Sequence, residues 1–217
     1  MVDARWLAPG SPSGLLRLRD AESVAAVLAG GGLAVLPTET GYMLAAAATD
    51  EAAVLRVFRA KRRPLDQPMH IACASLTMAS RYAVLTPAAR RVIGAFTPGP
   101  LTVVVDQTDA LPTRLVTHEG TVGIRVPDHP ATLQVIAAAG VPVTATSLNR
   151  SGEESRPVDA DVLAGLDFAA GDELPVVVDH SAIRHTSAST LVRLGGPGDP
   201  VVLREGPISA DQVREAL

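Results

Sequence analysis

The strongest constraint on this chain is how often its hydrophobic period changes. Short apolar runs have the length and β-branched content of strands: LAVLP (33–37), MHIACA (69–74), LTVVVD (101–106), TVGIRVP (121–127), VPVTATS (141–147), PVVVD (175–179), STLVRL (189–194) and VVLRE (201–205). Between them lie stretches with helical spacing. TDEAAVLRVFRAKR (49–62) sets Val54, Leu55, Val57 and Phe58 on one side, with Thr49 or Asp50 as N-cap. TPAARRVIGAF (86–96) carries Pro87 in its first turn, HPATLQVIAAAG (129–140) closes on Gly140, and SADQVREAL (209–217) ends the chain. This succession, with its late run of strands, predicts an α/β fold on a sheet of mixed direction, not a clean doubly wound parallel one. FTPGPLT, NRSGEESRP and LGGPGDP carry turn chemistry. With no repeat or low-complexity linker, the 217 residues read as one domain, 1–217.

Composition narrows the function classes. Aromatic residues are 3% of a chain that is 47% hydrophobic, so the core must be built from Ala, Val, Leu and Ile. That leaves no wide aromatic surface for stacking exposed bases. A formal charge of −4 argues against a surface wholly given to nucleic acid, while leaving room for a local basic site. The lone Cys73, in MHIACAS, reads as a small buried hydrophobe and excludes an internal disulfide. No apolar stretch is long enough to span a bilayer, and MVDARWLAPGSPSG lacks a signal core, so a soluble, unprocessed, cytoplasmic protein with no membrane partner is expected. AGGGLAVL precedes a strand and lacks a following Lys-Ser/Thr, so its glycines end a helix and do not cradle phosphate. His70, His118, His129, His180 and His185 show no metal-ligand spacing, and no Gly-x-Ser-x-Gly elbow exists.

Three constellations remain. Thr38, Glu39 and Thr40 follow a strand at its carboxyl end, where open α/β sheets place ligands; their other reading is a polar exit into solvent. Lys61, Arg62 and Arg63 end a helix, where cations meet the carbonyl end of the dipole for about 0.3–1 kcal/mol each. The sharper reading has Lys61 and Arg63 meeting phosphate oxygens. Ser147 and Asn149, after another buried strand, offer uncharged donors for phosphate or ribose, or else form an ordinary turn. Arg125 alternates with apolar residues in a strand and demands a carboxylate partner, from a ligand or from a protein acid.

Taken in order, LPTETGYMLAAAATDEAAVLRVFRAKRRPLDQP, FTPGPLTVVV, GTVGIRVPDHP, TATSLNRSGEES, STLVRL and VVLREGPIS resemble the YrdC/TsaC family, the L-threonylcarbamoyladenylate synthases, over about residues 15 to 210. Its paired motifs Lys-x-Arg and Ser-x-Asn are present as Lys61, Arg63, Ser147 and Asn149. The resemblance implies a twisted mixed α/β fold with a large concave, positively lined cavity, in the single-domain form. It implies a nucleotidyltransferase that joins L-threonine, bicarbonate and ATP, with Mg²⁺, into threonylcarbamoyl-AMP and pyrophosphate for tRNA threonylcarbamoyladenosine. A downstream threonylcarbamoyl transferase is an implied partner, as is tRNA or other double-stranded RNA. By motif position, Lys61, Arg63, Gln67, Thr121, Ser147, Asn149, Ser155 and Arg204 would serve ATP, with Lys61 and Arg63 catalytic. Thr38, Thr40, His70, Arg125 and Ser189 would serve threonine, Arg125 meeting its carboxylate, and no residue is assigned to a metal.

The chain departs from the family pattern near the amino-acid end. Met43 and Ala45 stand where glycines are usual and would narrow the threonine pocket; Ala72 stands where a histidine is usual. His70, two residues earlier, shares a strand face with Ala72 and could substitute for it. Leu148 and Arg193 are further changes. Two other readings stay open: a diverged paralogue with a different amine or carbamoyl substrate, and a nucleotide- or RNA-binding module without this activity.

Overall fold

The computed structural model describes residues 2–111, 114–153, 155–194 and 200–217; most of the LGGPGDP turn and Glu154 of NRSGEESRP lie outside them. The first half comprises β1 (Asp3–Leu7), α1 (Leu18–Ala29), β2 (Ala34–Thr38), β3 (Gly41–Ala45), α2 (Glu51–Lys61), β4 (His70–Ala72), α3 (Leu76–Ala79), α4 (Pro87–Phe96) and β5 (Leu101–Asp106). It continues as β6 (Thr121–Arg125), α5 (Pro130–Ala139), β7 (Val143–Ser147), α6 (Ala160–Ala164), β8 (Glu173–Val177), a 3-10 turn at His180–Ala182, β9 (Thr190–Arg193), β10 (Val201–Arg204) and α7 (Ala210–Glu215). The strands form one sheet in the order β1-β8-β2-β3-β7-β4-β6-β5-β9-β10. Its direction is mixed, as expected: β2 runs parallel to β8, β4 to β6 and β5 to β9, and the β2–β3, β4–β7 and β5–β6 pairs are antiparallel.

Local chemistry sets the element ends. Of the two candidate caps for α2, Asp50 serves: its Oδ1 accepts from the N–H groups of Ala52 (2.9 Å) and Ala53 (3.1 Å). Gly140 adopts φ 72° to close α5, which a Cβ would oppose. Ser209 and Gln212 form a reciprocal capping box at α7. The stretch between Thr40 and α2, to which the sequence assigned no element, is not a simple link. Residues 41–45 are a strand, β3, hydrogen-bonded to β2 through the two-residue turn Glu39–Thr40. Tyr42 to Ala45 are all buried, so no polar alternation marks the strand, and alanine favours strands little. The edge strand β1 is likewise absent from the sequence reading.

The helices α1 and α5 pack on each other and on β2. The core is aliphatic, as the composition requires, with Val24 and Leu28 of α1 and Val135 and Ile136 of α5 fully buried. Removing one such leucine from water stabilises by about 1.5–3 kcal/mol. Ala45 to Ala48 are buried in sequence and let helix and sheet approach closely.

The curl of the sheet makes the site. β2 and β6 are four strand spacings apart, about 19 Å on a flat sheet. Arg125, at the end of β6, nevertheless reaches Glu39 in the β2–β3 turn at 2.8 Å. The sheet is therefore bent into a trough.

Candidate active site

The trough encloses a cavity of about 400 Å³, within the usual range for small-molecule sites. At one end are Thr38, Thr40, Arg125 and Ser189. Among the described residues, every side-chain hydrogen bond of Arg125 comes from Nη2, to Glu39 Oε1 (2.8 Å), Thr40 Oγ1 (2.6 Å) and Thr38 Oγ1 (3.5 Å). The Glu39 side chain is 0% exposed, and its other oxygen accepts from the Asp128 N–H at 2.9 Å. Arg125 therefore has its acid from within the protein: of the two partners the sequence left open, a ligand carboxylate or a protein acid, the structure supplies the second. Burial of a strand cation requires a partner in the free protein, and Glu39 is that partner. Arg125 Nε remains buried without a partner, so the guanidinium keeps donor capacity for a ligand. Ser189 and Thr102 share a hydrogen bond of 2.8 Å, adding uncharged hydroxyls beside it.

At the other end the Lys-x-Arg and Ser-x-Asn motifs meet. The helix α2 stops where Arg62 turns to φ 50°, and its three cations then diverge. Lys61, 1% exposed, donates through Nζ to the carbonyls of Ser147 and Asn149. Burial, with Arg63 nearby, lowers its pKa to about 8. Lys61 lies behind the cavity wall and holds the Ser-x-Asn loop, whereas Arg63 lines the cavity. Arg63 is anchored by the carbonyls of Gln67 (2.7 Å) and Pro68 (3.1 Å). Arg62 points away into an exposed ion pair with Asp167. Ser147, Asn149, Ser155 and Arg204 line the same cavity. Arg204 Nη2 donates to the Ser189 carbonyl at 2.8 Å, and Asn149 Oδ1 is buried without a partner. Glu153 is the one carboxylate among the described lining residues, and no described cluster of three His, Cys, Asp or Glu is placed to hold a metal.

His70 stands at a boundary. Its ring lies over Gly123 of β6, where an added Cβ would fall 2.1 Å from Nδ1. Burial, then the charges of Arg204, Arg63 and Arg125, push its pKa down to about 4, so it is neutral at pH 7. His70 also lines a second, more apolar hollow of about 270 Å³ with Val104, Leu191 and Leu203. Thr121 belongs to that hollow, its hydroxyl donating to the His118 carbonyl at 2.7 Å. Gln67 is exposed and lines neither space; its contribution is the carbonyl that holds Arg63.

Met43 is buried opposite Ser147 on β7 and lines the main cavity, while Ala45, Ala72 and Leu148 are enclosed in the core. Arg193 lines the second hollow. Cys73 is buried with its thiol pushed up to about 12 by desolvation, in keeping with a packing role. Sequence reasoning gave no role to Thr102, Tyr42 or Glu153, and named Glu39 only within the Thr38–Thr40 cluster, not as the partner of Arg125. Glu39 had a signal, since a buried strand arginine needs an acid; the others carry none that is local.

These features agree with the relatives. A model for the Sua5/YciO/YrdC domain, described as "Telomere recombination", matches residues 26–206. A Mycobacterium tuberculosis relative is 35% identical over 93% of this chain and 90% of its own length. The threonylcarbamoyl-AMP synthase of Pyrococcus abyssi is 34% identical over 86% of this chain and 54% of its own. The structure of P. abyssi Sua5 complexed with L-threonine superposes with a TM-score of 0.83 at 31% identity, covering 99% of this chain and 60% of that one. Escherichia coli YciO superposes with a TM-score of 0.80 at 26% identity, covering 95% and 97%. Sequence, mixed curled sheet and motif-lined trough lead to one conclusion: this chain is a member of the Sua5/YciO/YrdC family.

Proposed function

We propose that this protein is a threonylcarbamoyl-AMP synthase, a nucleotidyltransferase that condenses L-threonine, bicarbonate and ATP and releases pyrophosphate. The observation that carries this reading is the cavity itself. One end offers hydroxyls around an arginine with free donor capacity, with Arg204 beside Ser189, and the other offers Arg63 beside the Ser-x-Asn loop. The same reading is supported by the name of the Pyrococcus relative and by the L-threonine held in the related Sua5.

The chemistry follows from charge. Bicarbonate yields CO₂ and hydroxide; the neutral threonine amine takes up that CO₂ and gives its proton to the hydroxide, leaving an N-carboxylate and water; an oxygen of that group attacks the α-phosphorus of ATP, and the bond to pyrophosphate breaks. Two anions must approach each other. Arg63 and Arg204 would hold the phosphates and offset developing charge, with Ser147, Asn149 and Ser155 as uncharged donors. Lys61 would keep the Ser-x-Asn loop at the phosphates. Arg125, through Nε and Nη1, would take the threonine carboxylate, with Thr38, Thr40 and Ser189 around it. The second hollow with Thr121 suits the nucleoside. Mg²⁺ would enter with ATP as part of the substrate, and Glu153 is the one carboxylate among the described lining residues that could reach it. On this reading the product serves tRNA threonylcarbamoyladenosine synthesis through a downstream transferase in the cytoplasm. The described residues include no helix long and apolar enough to cross a membrane.

Pyrophosphate release from ATP, Mg²⁺ and bicarbonate should depend on L-threonine and not on other amino acids. Release supported only by a different amine would replace threonine in this reading; no amine-dependent release would end it.

A further inference from the structure

The main cavity and the second hollow meet at one wall. Of the described residues that line these two spaces, Pro68, Met69 and His70 line both, and of those three His70 alone carries nitrogen or oxygen in its side chain. Its ring makes no hydrogen bond to a described residue, so its polar capacity is unspent in the free protein. The Nδ1 edge is turned to Gly123, where an added Cβ would lie 2.1 Å from Nδ1, 2.8 Å from Cγ and 3.0 Å from Cε1. Nε2 is therefore the nitrogen directed away from β6. The ring also lies among the cations of the site: after burial itself, the charges of Arg204, Arg63 and Arg125 are what keep it neutral.

With the nucleoside in the hollow, the outer phosphates at Arg63 and the threonine carboxylate at Arg125, one group is common to all three: the α-phosphate, which joins nucleoside to pyrophosphate and takes the incoming carbamate oxygen. It has to lie at the wall that the two spaces share. We infer that His70 is a further catalytic residue, whose Nε2–H donates to a non-bridging oxygen of the α-phosphate and fixes the phosphorus for in-line attack. The inference rests on the proposed function and deepens it, assigning His70 to the reacting phosphorus and not to the amino acid. In the step itself the carbamate oxygen bonds to the α-phosphorus while the bond from phosphorus to pyrophosphate breaks, its electron pair leaving with pyrophosphate. The ring gives up no proton. The α-phosphate stays anionic throughout, and a neutral N–H directs it without adding to the charge that the arginines supply.

The test is calorimetric titration with AMP, adenosine and pyrophosphate as separate ligands, since only AMP carries the α-phosphate on its nucleoside. His70→Ala should weaken AMP binding by at least about tenfold, the scale for losing a hydrogen bond to a charged group, and leave adenosine and pyrophosphate within about twofold of the wild type. His70→Gln, whose amide N–H can stand near the position of Nε2, should restore most of the AMP affinity and of kcat. His70→Asn, with its amide near the position of Nδ1, should restore neither. Equal losses for adenosine and AMP would make the ring a packing surface for the nucleoside, and a loss confined to L-threonine would return it to the amino-acid site; either result overturns the inference. In the wild-type protein AMP should shift the His70 Nε2 resonance in ¹H–¹⁵N NMR and adenosine should not. An unmoved resonance with AMP bound overturns the inference whether or not a variant folds. Wild-type protein that binds neither AMP nor ATP would refute the functional reading first, and this inference with it.

Discussion

Around the trough Lys61, Arg63 and Arg204 are held by backbone carbonyls, whereas Arg125 is held by a carboxylate and two threonine hydroxyls. Carbonyls orient a cation without cancelling its charge, so Arg63 and Arg204 stay cationic for an incoming polyanion, while burial lowers the pKa of the enclosed Lys61 to about 8. The Glu39 pair does the reverse, trading field for a fixed geometry. Within one cavity, the identity of the buried partner decides what each cation can recognise.

The comparison breaks first at Arg63. Arg63→Ala should lower kcat/KM for pyrophosphate release by about 10²–10³-fold, the scale for losing one preorganised donor to developing charge. Steady-state kinetics with retained wild-type activity would mean that the cluster is only helix-capping charge.

Next comes the divider between the main cavity and the second hollow. Gly123→Ala places a methyl group 2.1 Å from His70 Nδ1 and should destabilise by about 1–3 kcal/mol in denaturant titration. Adding His70→Ala should recover most of that loss, because the clash then has no partner; additive losses would locate the strain elsewhere.

Titration separates the ends more gently. Lys61, with a pKa of about 8, should lose its proton and its hold on the Ser-x-Asn loop as pH rises through 8, giving an alkaline limb of activity there. Lys61→Arg should move that limb upward, and an unmoved limb would exclude Lys61 as its source. The sign for stability is opposite. Between about pH 8 and 10.5 the unfolded chain holds a proton that native Lys61 has released, so this group makes stability rise with pH across that window.

The smallest effect belongs to Arg62. Its exposed pairing with Asp167 is worth little, and its φ of 50° suits glycine. Arg62→Gly should leave pyrophosphate release unchanged and alter stability by no more than about 1 kcal/mol in either direction. A large loss of activity would erase the distinction between this cation and its neighbours.

The legible parts of the fold are those with local causes. Asp50, Pro87 and Gly140 mark helix ends because a cap answers to the few N–H or C=O groups beside it. β3 was hidden for the opposite reason: a strand buried on both faces takes its identity from its neighbours in the sheet, and GYMLA carries no alternation of its own. In the site, Lys61, Arg63, Ser147 and Asn149 stood out by motif, and the structure brings the two motifs into direct contact. Gln67 and Thr121 were chosen by the same motifs, yet the first faces solvent and the second lines the adjoining hollow.

By itself the sequence determined an aliphatic mixed α/β architecture, its helix caps, and the requirement that Arg125 have an acidic partner. These follow from periodicity, side-chain volume and the cost of burying charge, all of which act within a few residues. Only the tertiary structure decided which acid that is. Glu39 lies 86 residues away in the chain and four strands away in the sheet, and it reaches Arg125 because the sheet curls. The same curl turned two separate polar clusters into opposite ends of one cavity.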